Sequence, residues 1–279
     1  MVASAPLALD DIRSTLSTTS LGQRLYLHHT LDSTNSEASA LAHAGAPHGT
    51  VVVAESQSAG KGRRTRSWYS PPGANIYCSV IVRGKGQKQT LVEWLSWVPL
   101  ISAMAVSEAV QAVASVALTL KWPNDLLFQE RKVGGILCES FHVSADEPVV
   151  IIGIGLNVNL SQESFPDELR HMATSLCELS GRPVDRNRLI AQLLAELEQG
   201  LEELKSNGPG RLRLAYMSRC HTLGTRVRVL LGENQDLQGR AESISTDGAL
   251  QVRPHPASPS SPLPPLVDIH AADVVHLRE

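Results

Sequence analysis

The sequence has little of what marks several common classes of protein. Only 4% of its 279 residues are aromatic and its formal charge at pH 7 is −3, which argues against a protein that binds nucleic acid through an overall basic balance. Its four cysteines are far apart and form no Cys-x-x-Cys pair. They give poor support for a zinc site or a disulfide framework, and are typical of a reducing cytosol. The start, MVASAPLALDDIR, lacks the basic segment of a secretory signal.

Long charge-free apolar runs are also missing. The longest apolar stretch, VPLISAMAVSEAVQAVASVALTL, contains Glu108 and Gln111. We interpret it as a buried helix that runs into a strand, not as a membrane span. With 42% hydrophobic and 19% charged residues, the chain is able to build a core. We therefore expect a soluble cytoplasmic protein that does not enter a membrane.

The order of apolar runs predicts an α+β protein. Short β-branched runs are typical of buried strands, and a 3.6-residue apolar period is typical of amphipathic helices. Thr34 with Glu37 forms a capping box for one helix, and Asp185 and Gly208 bound another. We expect a mixed sheet in a first domain over residues 1–218. The predicted strands are 50–54, 75–82, 117–121, 135–140 and 148–153, and the predicted helices are 33–45 and 185–208.

The C-terminal part predicts a separate, small β-domain over residues 222–279. Closely spaced short strands and the turn signal Asp247–Gly248 favour an SH3-like barrel of five strands. A proline-rich segment, 254–265, interrupts it. We interpret this segment as a hairpin insertion in polyproline II conformation, and a PxxP ligand remains the alternative. The predicted strands are 226–231, 240–244, 249–252, 266–270 and 274–278.

The segment GKGRRTRSW, residues 60–68, is called the basic loop below. It places four cations behind a flexible Gly-x-Gly in a chain of net negative charge. Backbone N–H groups at Gly60 and Gly62 can approach an anion closely, and arginine binds phosphate or carboxylate with two parallel hydrogen bonds. The loop does not match the GxxxxGK[ST] of a Walker A motif. A solvated surface turn is the alternative, but the position directly after a buried strand favours binding.

Two magnitudes indicate how the basic loop works. Ordering its nine residues costs about 9–18 kcal/mol of backbone entropy. Hydrogen bonds from four cations to charged groups return about 6–12 kcal/mol. Because the two sums are comparable, we expect the loop to be mobile when empty. It then closes over a multiply anionic ligand, and Trp68 adds a stacking face.

Motifs along most of the chain, taken together, resemble those of biotin–protein ligases. The resemblance spans residues 22–279. Lys61 stands where that family usually has arginine, and Thr65 stands where it usually has glycine. The matching segments are LDSTN (31–35), ESQSAGKGRRTRSW (55–68), SPPGANIY (70–77), KWPND (121–125), RKVGGILCE (131–139), GIGLNVN (153–159), DGALQV (247–252) and ADVVHLR (272–278).

The resemblance implies a fold and an activity. The fold is a mixed-sheet catalytic domain of the biotin/lipoate ligase type with a small C-terminal SH3-like domain. The enzyme joins biotin to ATP, giving biotinyl-5′-AMP and pyrophosphate, and then transfers biotin to a specific lysine of a biotin carboxyl carrier domain. Mg²⁺ is expected with the ATP phosphates, near Asp125 and without a dedicated protein site.

The resemblance also implies roles for single residues. Lys132 contacts the biotin carboxyl group and the phosphate, while Arg63 and Arg66 brace the phosphate. Asp125 assists the attacking lysine amine, and Trp68 stacks on adenine. The residues implied for biotin are Ser33, Thr34, Asn35, Gln57, Gly60, Lys61, Arg63, Lys132, Gly134, Gly135, Gly153 and Gly155. Those implied for the nucleotide are Arg64, Arg66, Trp68, Lys121, Asn124, Asp125 and Asn157.

The sequence alone leaves other functions open. The residues before the LDSTN motif are too few for a helix-turn-helix, so we expect a monofunctional ligase that binds no DNA. A nucleic-acid-binding module is the rival from another class, but it needs several stacking aromatics beside its cations. A lipoate or octanoyl transferase is a third possibility, which the arginine-rich loop disfavours. The sequence leaves monomer and homodimer open.

Overall fold

The computed structural model describes residues 5–84, 91–144, 147–232, 235–256, 262–270 and 272–277. A seven-stranded mixed sheet forms the larger part, in the order β1-β2-β3-β7-β6-β5-β4. Strands β1 and β2 run parallel, and the other neighbours in this sheet are antiparallel. The strands are β1 (Leu25–Leu31), β2 (Val51–Gln57), β3 (Ile76–Arg83), β4 (Thr119–Lys121), β5 (Asp125–Phe128), β6 (Arg131–Ser144) and β7 (Glu147–Leu156).

Helices cover both faces of this sheet, so its central strands are apolar at successive positions. Val51 and Val53 point into the main core with α3 and α6, while Val52 between them packs against α2 on the opposite face. Such burial on both faces explains the unbroken apolar runs in β2, β3 and β7. The helices are α1 (Leu9–Thr15), α2 (Thr34–His43), α3 (Leu91–Ala114), α4 (Asp167–Arg170), α5 (Leu176–Ser180), α6 (Arg186–Asn207) and α7 (Gly210–Met217), with one 3₁₀ turn at Gln162–Ser164.

Helix α3 contains the longest apolar stretch of the sequence. Its segment Leu95–Ala114 is long and apolar enough to cross a membrane, yet most of its residues are buried inside the protein. It packs along α6 and the sheet. The helix is therefore part of the core, as the sequence predicted.

A second, five-stranded sheet follows α7, in the order β11-β10-β9-β8-β12, with every neighbouring pair antiparallel. The proline-rich segment connects β10 to β11, which pair antiparallel, and its polyproline II conformation stays a prediction. Its residues 257–261 lie outside the described part of the chain. The strands are β8 (Arg226–Gly232), β9 (Gln235–Ile244), β10 (Leu250–Pro254), β11 (Val267–Ile269) and β12 (Asp273–His276).

Two buried tryptophans, Trp97 of α3 and Trp122 of the KWPND turn, bond the turn between β9 and β10 of the second sheet. The indole N–H of Trp97 donates to the Thr246 carbonyl at 3.0 Å, and that of Trp122 donates to the Gly248 carbonyl at 3.4 Å. The Trp122 backbone N–H also donates to the Thr222 hydroxyl at 3.0 Å. These contacts fix the second sheet beside the KWPND turn.

The sequence predicted the fold class and ten strands, but it missed β1 and β5. Strand β1, LYLHHTL, is an edge strand whose histidines and threonine hide the period-2 pattern, and β5 has only four residues. The predicted capping box is wrong, because Ser33 is the N-cap residue, Thr34 is the first helical residue, and neither side chain caps α2. Asp185 is confirmed as a cap: its carboxylate accepts the N–H groups of Asn187 and Arg188.

A buried ion pair ties α6 to the sheet. The Arg186 side chain is 0% exposed and its guanidinium donates to both Glu55 oxygens, at 2.7 and 3.1 Å. Burial by itself would raise the pKa of the Glu55 carboxyl group. Hydrogen bonds from Arg186 and from the Leu7 N–H outweigh that effect, so the Glu55 pKa is lowered.

Replacing Arg186 by methionine is expected to lower the free energy of unfolding by about 3–5 kcal/mol, because Glu55 stays buried without its partner. Urea unfolding at pH 7 measures this, with exposed Arg188→Met as the matched control. Since the folded-state pKa of Glu55 is depressed, its stabilising effect is present above the unfolded pKa and is lost as pH falls through the folded pKa. The difference between wild type and variant should therefore shrink in acid; a constant difference would contradict this account.

Candidate functional site

Two adjoining cavities lie where the carboxyl end of β2, the KWPND turn and the second sheet meet. The inner cavity has a volume of about 60 Å³ and the outer cavity about 420 Å³. Five residues line both: Gly62, Arg63, Trp68, Asn124 and Lys132. Most residues that the sequence predicted for biotin line the inner cavity, and most of those predicted for the nucleotide line the outer one.

The inner cavity has a polar end built on the start of α2. The Gln57 side-chain oxygen accepts the backbone N–H of Thr34 at 2.9 Å and its hydroxyl at 3.2 Å. The Asn35 amide nitrogen donates to the Glu139 carboxylate at 2.6 Å, and the Asn35 oxygen accepts the Ser79 hydroxyl at 2.7 Å. These groups hold one another in place, so they can read a small neutral molecule rich in donors and acceptors.

Two glycines of β7 make room for this arrangement. A Cβ on Gly153 would collide with the Asn35 amide, and a Cβ on Gly155 would lie 2.5 Å from Cε2 of the Trp68 indole. Gly135 lines the same cavity, and a Cβ there would lie 3.4 Å from the Lys132 ammonium. The backbone of β6 and β7 therefore forms the cavity wall directly.

The basic loop is a small hairpin. Lys61 and Ser67 form an antiparallel bridge, and the Trp68 N–H donates to the Gly60 carbonyl at 2.8 Å. At its tip, Arg64 and Thr65 both have left-handed backbone, with φ of 52° and 61°. Two left-handed residues in succession define a type I′ turn, which favours glycine and asparagine and disfavours a β-branched residue.

Replacing Thr65 by glycine is expected to stabilise this hairpin. A left-handed residue with a Cβ costs about 1–2 kcal/mol, and the added freedom of glycine in the open loop offsets part of that gain. Trypsin cleavage of the ligand-free loop, after Lys61 or an arginine, should then slow by about two- to fivefold. Thr65→Ser is the control, since it keeps the Cβ and should cut at nearly the wild-type rate. Faster cleavage of the glycine variant would contradict the turn assignment.

The three arginines of the loop converge on the second sheet. Asp273 pairs with Arg66, and lies 3.5 Å from Arg63 and 3.7 Å from Arg64. The Arg63 guanidinium also donates to the Asn124 side-chain oxygen at 3.1 Å and to the Ala272 carbonyl at 3.2 Å. Burial is the main cause that lowers the pKa of the Arg63 guanidinium. Arg63 stays charged, because an arginine side chain is not deprotonated in proteins.

Lys132 lies at the junction of the two cavities. Its ammonium donates to Asp125 at 2.6 Å and lies 5.5 Å from the centroid of the Trp68 ring. Both side chains of the Lys132–Asp125 pair are partly open to the cavities, at 34% and 25% exposure. A ligand can therefore reach the ammonium without unfolding any element.

Lys121 lines the outer cavity near the same carboxylates. Burial lowers the pKa of its ammonium, while Asp125 and Asp273 oppose that effect. Asn157 also lines this cavity, but its amide donates to the Thr174 carbonyl at 3.2 Å and so also holds the segment before α5. The apolar residues that line this cavity are Phe165, Leu169, Met172, Leu230, Val274 and Val275.

Three predicted site residues line neither cavity. Gly60 supports the loop, since a Cβ there would lie 2.6 Å from the Ser70 hydroxyl. Gly134 faces Leu156 and Leu126 in the sheet, and Arg64 donates to the Leu230 carbonyl at 2.9 Å. Their predicted ligand contacts stay predictions.

Ser79 and Asp273 are among the polar residues of the site that sequence reasoning missed. Ser79 bonds to Asn35 and lies 2.8 Å from the Thr34 hydroxyl, and it is fully buried. A serine inside the apolar run NIYCSVIV was the available signal. Asp273 belongs to ADVVHLR, but nothing local in that motif indicates that it meets a loop about two hundred residues earlier.

Comparisons with known proteins agree with this geometry. Residues 27–157 match the biotin/lipoate A/B protein ligase family, and residues 222–277 match the biotin protein ligase C-terminal domain. The chain is 37% identical over 250 residues to a biotin--[acetyl-CoA-carboxylase] ligase of Mycobacterium tuberculosis, covering 88% of this chain and 86% of that one.

A second relative and a solved structure give the same result. The bifunctional ligase/repressor BirA of Bacillus spizizenii is 36% identical over 244 residues, which cover 88% of this chain and 74% of that protein. A structure of biotin protein ligase from Aquifex aeolicus in complex with biotin and ATP aligns with a TM-score of 0.74 at 27% identity, covering 92% of this chain and 100% of that one.

Proposed function

This chain belongs to the biotin–protein ligase family, and we propose that its two adjoining cavities bind the two substrates of a two-step reaction. Biotin is activated with ATP to biotinyl-5′-AMP, and the biotinyl group then passes to a lysine of a biotin carboxyl carrier domain. The observation that carries this proposal is the position of Lys132, whose ammonium lies between a polar cavity and a larger cationic one.

Biotin occupies the inner cavity. Its ureido ring is neutral and offers two N–H donors and one carbonyl acceptor, which match the fixed polar groups of Thr34, Asn35 and Gln57. Its carboxylate then extends toward Lys132, with Lys61 and Arg63 also lining this cavity. Lys61 supplies a point charge where the family usually has an arginine fork, so its contact is less directional.

ATP occupies the outer cavity, where cations from three different elements meet. Arg63 and Arg66 come from the basic loop, Lys121 from β4 and Lys132 from β6. Trp68 and the apolar wall at Phe165 and Met172 offer faces for the adenine ring. This arrangement places the triphosphate against the cations and the base against the apolar side.

The activation step needs two anions to meet. A biotin carboxylate oxygen attacks the α-phosphorus of ATP, a new P–O bond forms, and the bond to the bridging oxygen of the β-phosphate breaks, so pyrophosphate leaves. Fixed cations reduce the repulsion between carboxylate and phosphate and stabilise the charge that develops on the phosphorus oxygens. Lys132 is the cation that can contact both reactants, while Arg63 and Arg66 stabilise the phosphate.

Magnesium would enter with ATP and neutralise the departing pyrophosphate. Among the described residues, no group of three or more histidine, cysteine or carboxylate side chains is placed to hold a metal by itself. Asp125, the partner of Lys132, is a carboxylate beside the proposed phosphate position, and its oxygen atoms suit Mg²⁺. The protein would therefore add at most one or two ligands to those of the phosphates.

The transfer step consumes the mixed anhydride. The amine of the carrier lysine attacks the biotinyl carbonyl carbon, an amide bond forms, and AMP leaves. We propose Asp125 as the carboxylate that assists loss of the amine proton, after Lys132 has shifted its contact to the ligand. The closed basic loop shields the anhydride from water until the carrier arrives.

The partners follow from this reaction. The carrier is a biotin carboxyl carrier domain, as the substrate named for the Mycobacterium tuberculosis relative suggests. We expect no sequence-specific binding of DNA, because the arginines of the basic loop face the second sheet and the net charge is −3. We place the enzyme in the cytoplasm, where ATP is available and its thiols stay reduced.

Biotin-dependent exchange of labelled pyrophosphate into ATP tests the proposal. Exchange that requires biotin, with no carrier present, is the expected result. Exchange with lipoate but not with biotin would keep the ligase chemistry and overturn the substrate. Absence of exchange with either acid would overturn the function and leave the basic loop as an anion-binding surface.

A further inference from the structure

Glu139 is the last residue of the motif RKVGGILCE, and the reaction described above does not use it. It lies on β6, is exposed to solvent and lines neither of the two cavities. Its carboxylate nevertheless accepts a hydrogen bond of 2.6 Å from the side-chain amide of Asn35, a residue that is only 3% exposed. A charged surface residue therefore holds a buried polar residue of the inner cavity.

This contact decides which way the Asn35 amide faces. A carboxylate and a backbone carbonyl only accept hydrogen bonds, and the Asn35 nitrogen donates to both Glu139 and the Leu137 carbonyl, the latter at 3.3 Å. The Asn35 oxygen must then face the Ser79 hydroxyl, which lies 2.7 Å away and donates to it. Both amide hydrogens are used within the protein, so Asn35 offers a ligand only the second lone pair of its oxygen.

The direction of the next hydrogen bond follows from counting hydrogens. The Ser79 hydroxyl has one hydrogen, which it donates to Asn35, so a hydrogen bond across its 2.8 Å contact with Thr34 needs the Thr34 hydrogen. The Gln57 oxygen, at 3.2 Å, is the alternative acceptor for that same hydrogen. In either case the protein uses the Thr34 hydrogen, and the Thr34 hydroxyl offers a ligand only lone pairs.

Gln57 ends this chain of hydrogen bonds with the opposite polarity. Its oxygen accepts the Thr34 backbone N–H at 2.9 Å, and its nitrogen donates one of two hydrogens to the Ser70 hydroxyl at 2.9 Å. The second hydrogen can be donated to a ligand. The inner cavity therefore offers acceptors at Asn35 and Thr34 and a donor at Gln57, which match two N–H groups and one carbonyl.

Resting on the function proposed above, we propose that Glu139 is a positioning residue that sets the specificity for biotin through Asn35. Because its carboxylate only accepts, it orients the Asn35 amide and, through Ser79, the hydroxyl hydrogens that follow. The cavity then presents acceptors to the N–H groups of the ureido ring. A donor at position 139 would reverse the Asn35 amide and place an N–H group where the ligand also carries one.

Hydrogen bonding, and not packing, has to fix the Asn35 amide. The amide oxygen and nitrogen are so similar in size that either fits the same space, here against Gly153. Of the two acceptors that select the nitrogen, Glu139 is closer and charged, at 2.6 Å against 3.3 Å for the Leu137 carbonyl. Hydrogen bonds to an ionised acceptor are about twice as strong as neutral ones, so Glu139 has the larger effect.

The test measures the KM for biotin in pyrophosphate exchange at saturating ATP. Glu139→Lys places a group that only donates beside Asn35, and should raise this KM by about 10- to 100-fold. Glu139→Gln can still present an oxygen to Asn35, so the rise should stay below about fivefold. The KM for ATP should stay near the wild-type value in both. Glu37→Lys is the matched control, because it makes the same change of charge on α2, two residues after Asn35, and Glu37 lines neither cavity.

Analogues of biotin separate a reversed amide from a general loss of structure. In the two cyclic carbamates, a ring oxygen replaces one or the other ureido N–H with little change of shape. The carbamate that lacks the N–H facing Asn35 should bind Glu139→Lys no worse than wild type, because the reversed amide donates to the ring oxygen. The other carbamate should show the full loss, since its N–H still faces the reversed amide.

Each outcome bears on the proposal. A KM for biotin within about threefold of wild type in Glu139→Lys would overturn it, and so would equal losses with both carbamates. If the lysine variant does not fold, Glu139→Leu replaces it: its KM for biotin should exceed that of Glu139→Gln, and equal values would overturn the proposal. Wild type without biotin-dependent exchange would overturn the proposed function itself, whereas normal wild-type exchange with an unaffected Glu139→Lys would contradict this inference alone.

Discussion

Replacing Lys132 by alanine is expected to reduce biotin-dependent pyrophosphate exchange by about 10²–10³-fold, the usual loss when one preorganised donor to a developing charge is removed. The Lys132 ammonium is the cation between the two cavities, and it can stabilise carboxylate and phosphate together only if both reach it at once. Loss of the ammonium also leaves Asp125 without its 2.6 Å partner, beside an incoming triphosphate. The repulsion from that carboxylate adds to the effect.

The measurement is the initial exchange rate at saturating biotin and ATP, together with the KM of each substrate. A loss mainly in kcat is expected, because the ammonium acts most strongly on the charge of the transition state. Lys205→Ala is the matched control, since Lys205 is an exposed lysine of α6 that pairs with Glu202 at 3.6 Å. If the Lys132 variant lost less than tenfold, another cation would have to bridge the two substrates.

The double variant of Lys132→Ala and Asp125→Asn separates the two contributions. If the unpaired carboxylate causes part of the loss, the double variant should exchange faster than Lys132→Ala alone. A double variant as slow as, or slower than, Lys132→Ala would show that Asp125 also contributes in its own right. Substitutions at two residues in direct contact often have effects that are not additive. Lys132 and Asp125 are in contact, so a double-mutant cycle on this pair measures the interaction between them.

Much of this fold and site could be predicted from the sequence, because the patterns that indicate it lie in residues close together along the chain. Buried strands such as 148–153 and the amphipathic helix at 185–208 carry their pattern in consecutive residues. Trp68 and Lys132 lie in short motifs whose order along the chain is itself informative. The anion-binding chemistry of the basic loop follows from its arginines and its flexible glycine pair, whereas the role of Lys132 is implied by the family resemblance.

What the sequence could not predict depends on contacts between distant segments. Asp273 gains its role from arginines about two hundred positions away, and Ser79 gains its role from the start of α2. The partial filling of the inner cavity by Trp68 also depends on three-dimensional packing against Gly155. A glycine in a sequence motif indicates conformational freedom of the backbone. Only the fold shows which neighbouring side chain occupies the space that a Cβ would take.

The second substitution with a large expected effect is at Gly153, where a neighbouring side chain occupies the space that a Cβ would take. In Gly153→Ala the new methyl group would occupy the position of the Asn35 side-chain amide. Asn35 cannot move freely, since it is held by Glu139 at 2.6 Å, by Ser79 at 2.7 Å and by the Leu137 carbonyl at 3.3 Å. The variant must therefore either displace Asn35, which we propose reads the ureido ring, or deform β7.

The expected result is a rise of about 100-fold or more in the KM for biotin, because a site built on hydrogen bonds loses most of its discrimination when one member is misplaced. The KM for ATP should change little, since Gly153 lines the inner cavity and not the outer one. Gly210→Ala is the matched control: a Cβ at this first residue of α7 meets nothing within 4 Å. Equal losses for biotin and ATP, or a cooperative unfolding transition lowered by many degrees, would indicate deformation of β7. A selective loss for biotin would place the ureido ring beside Asn35.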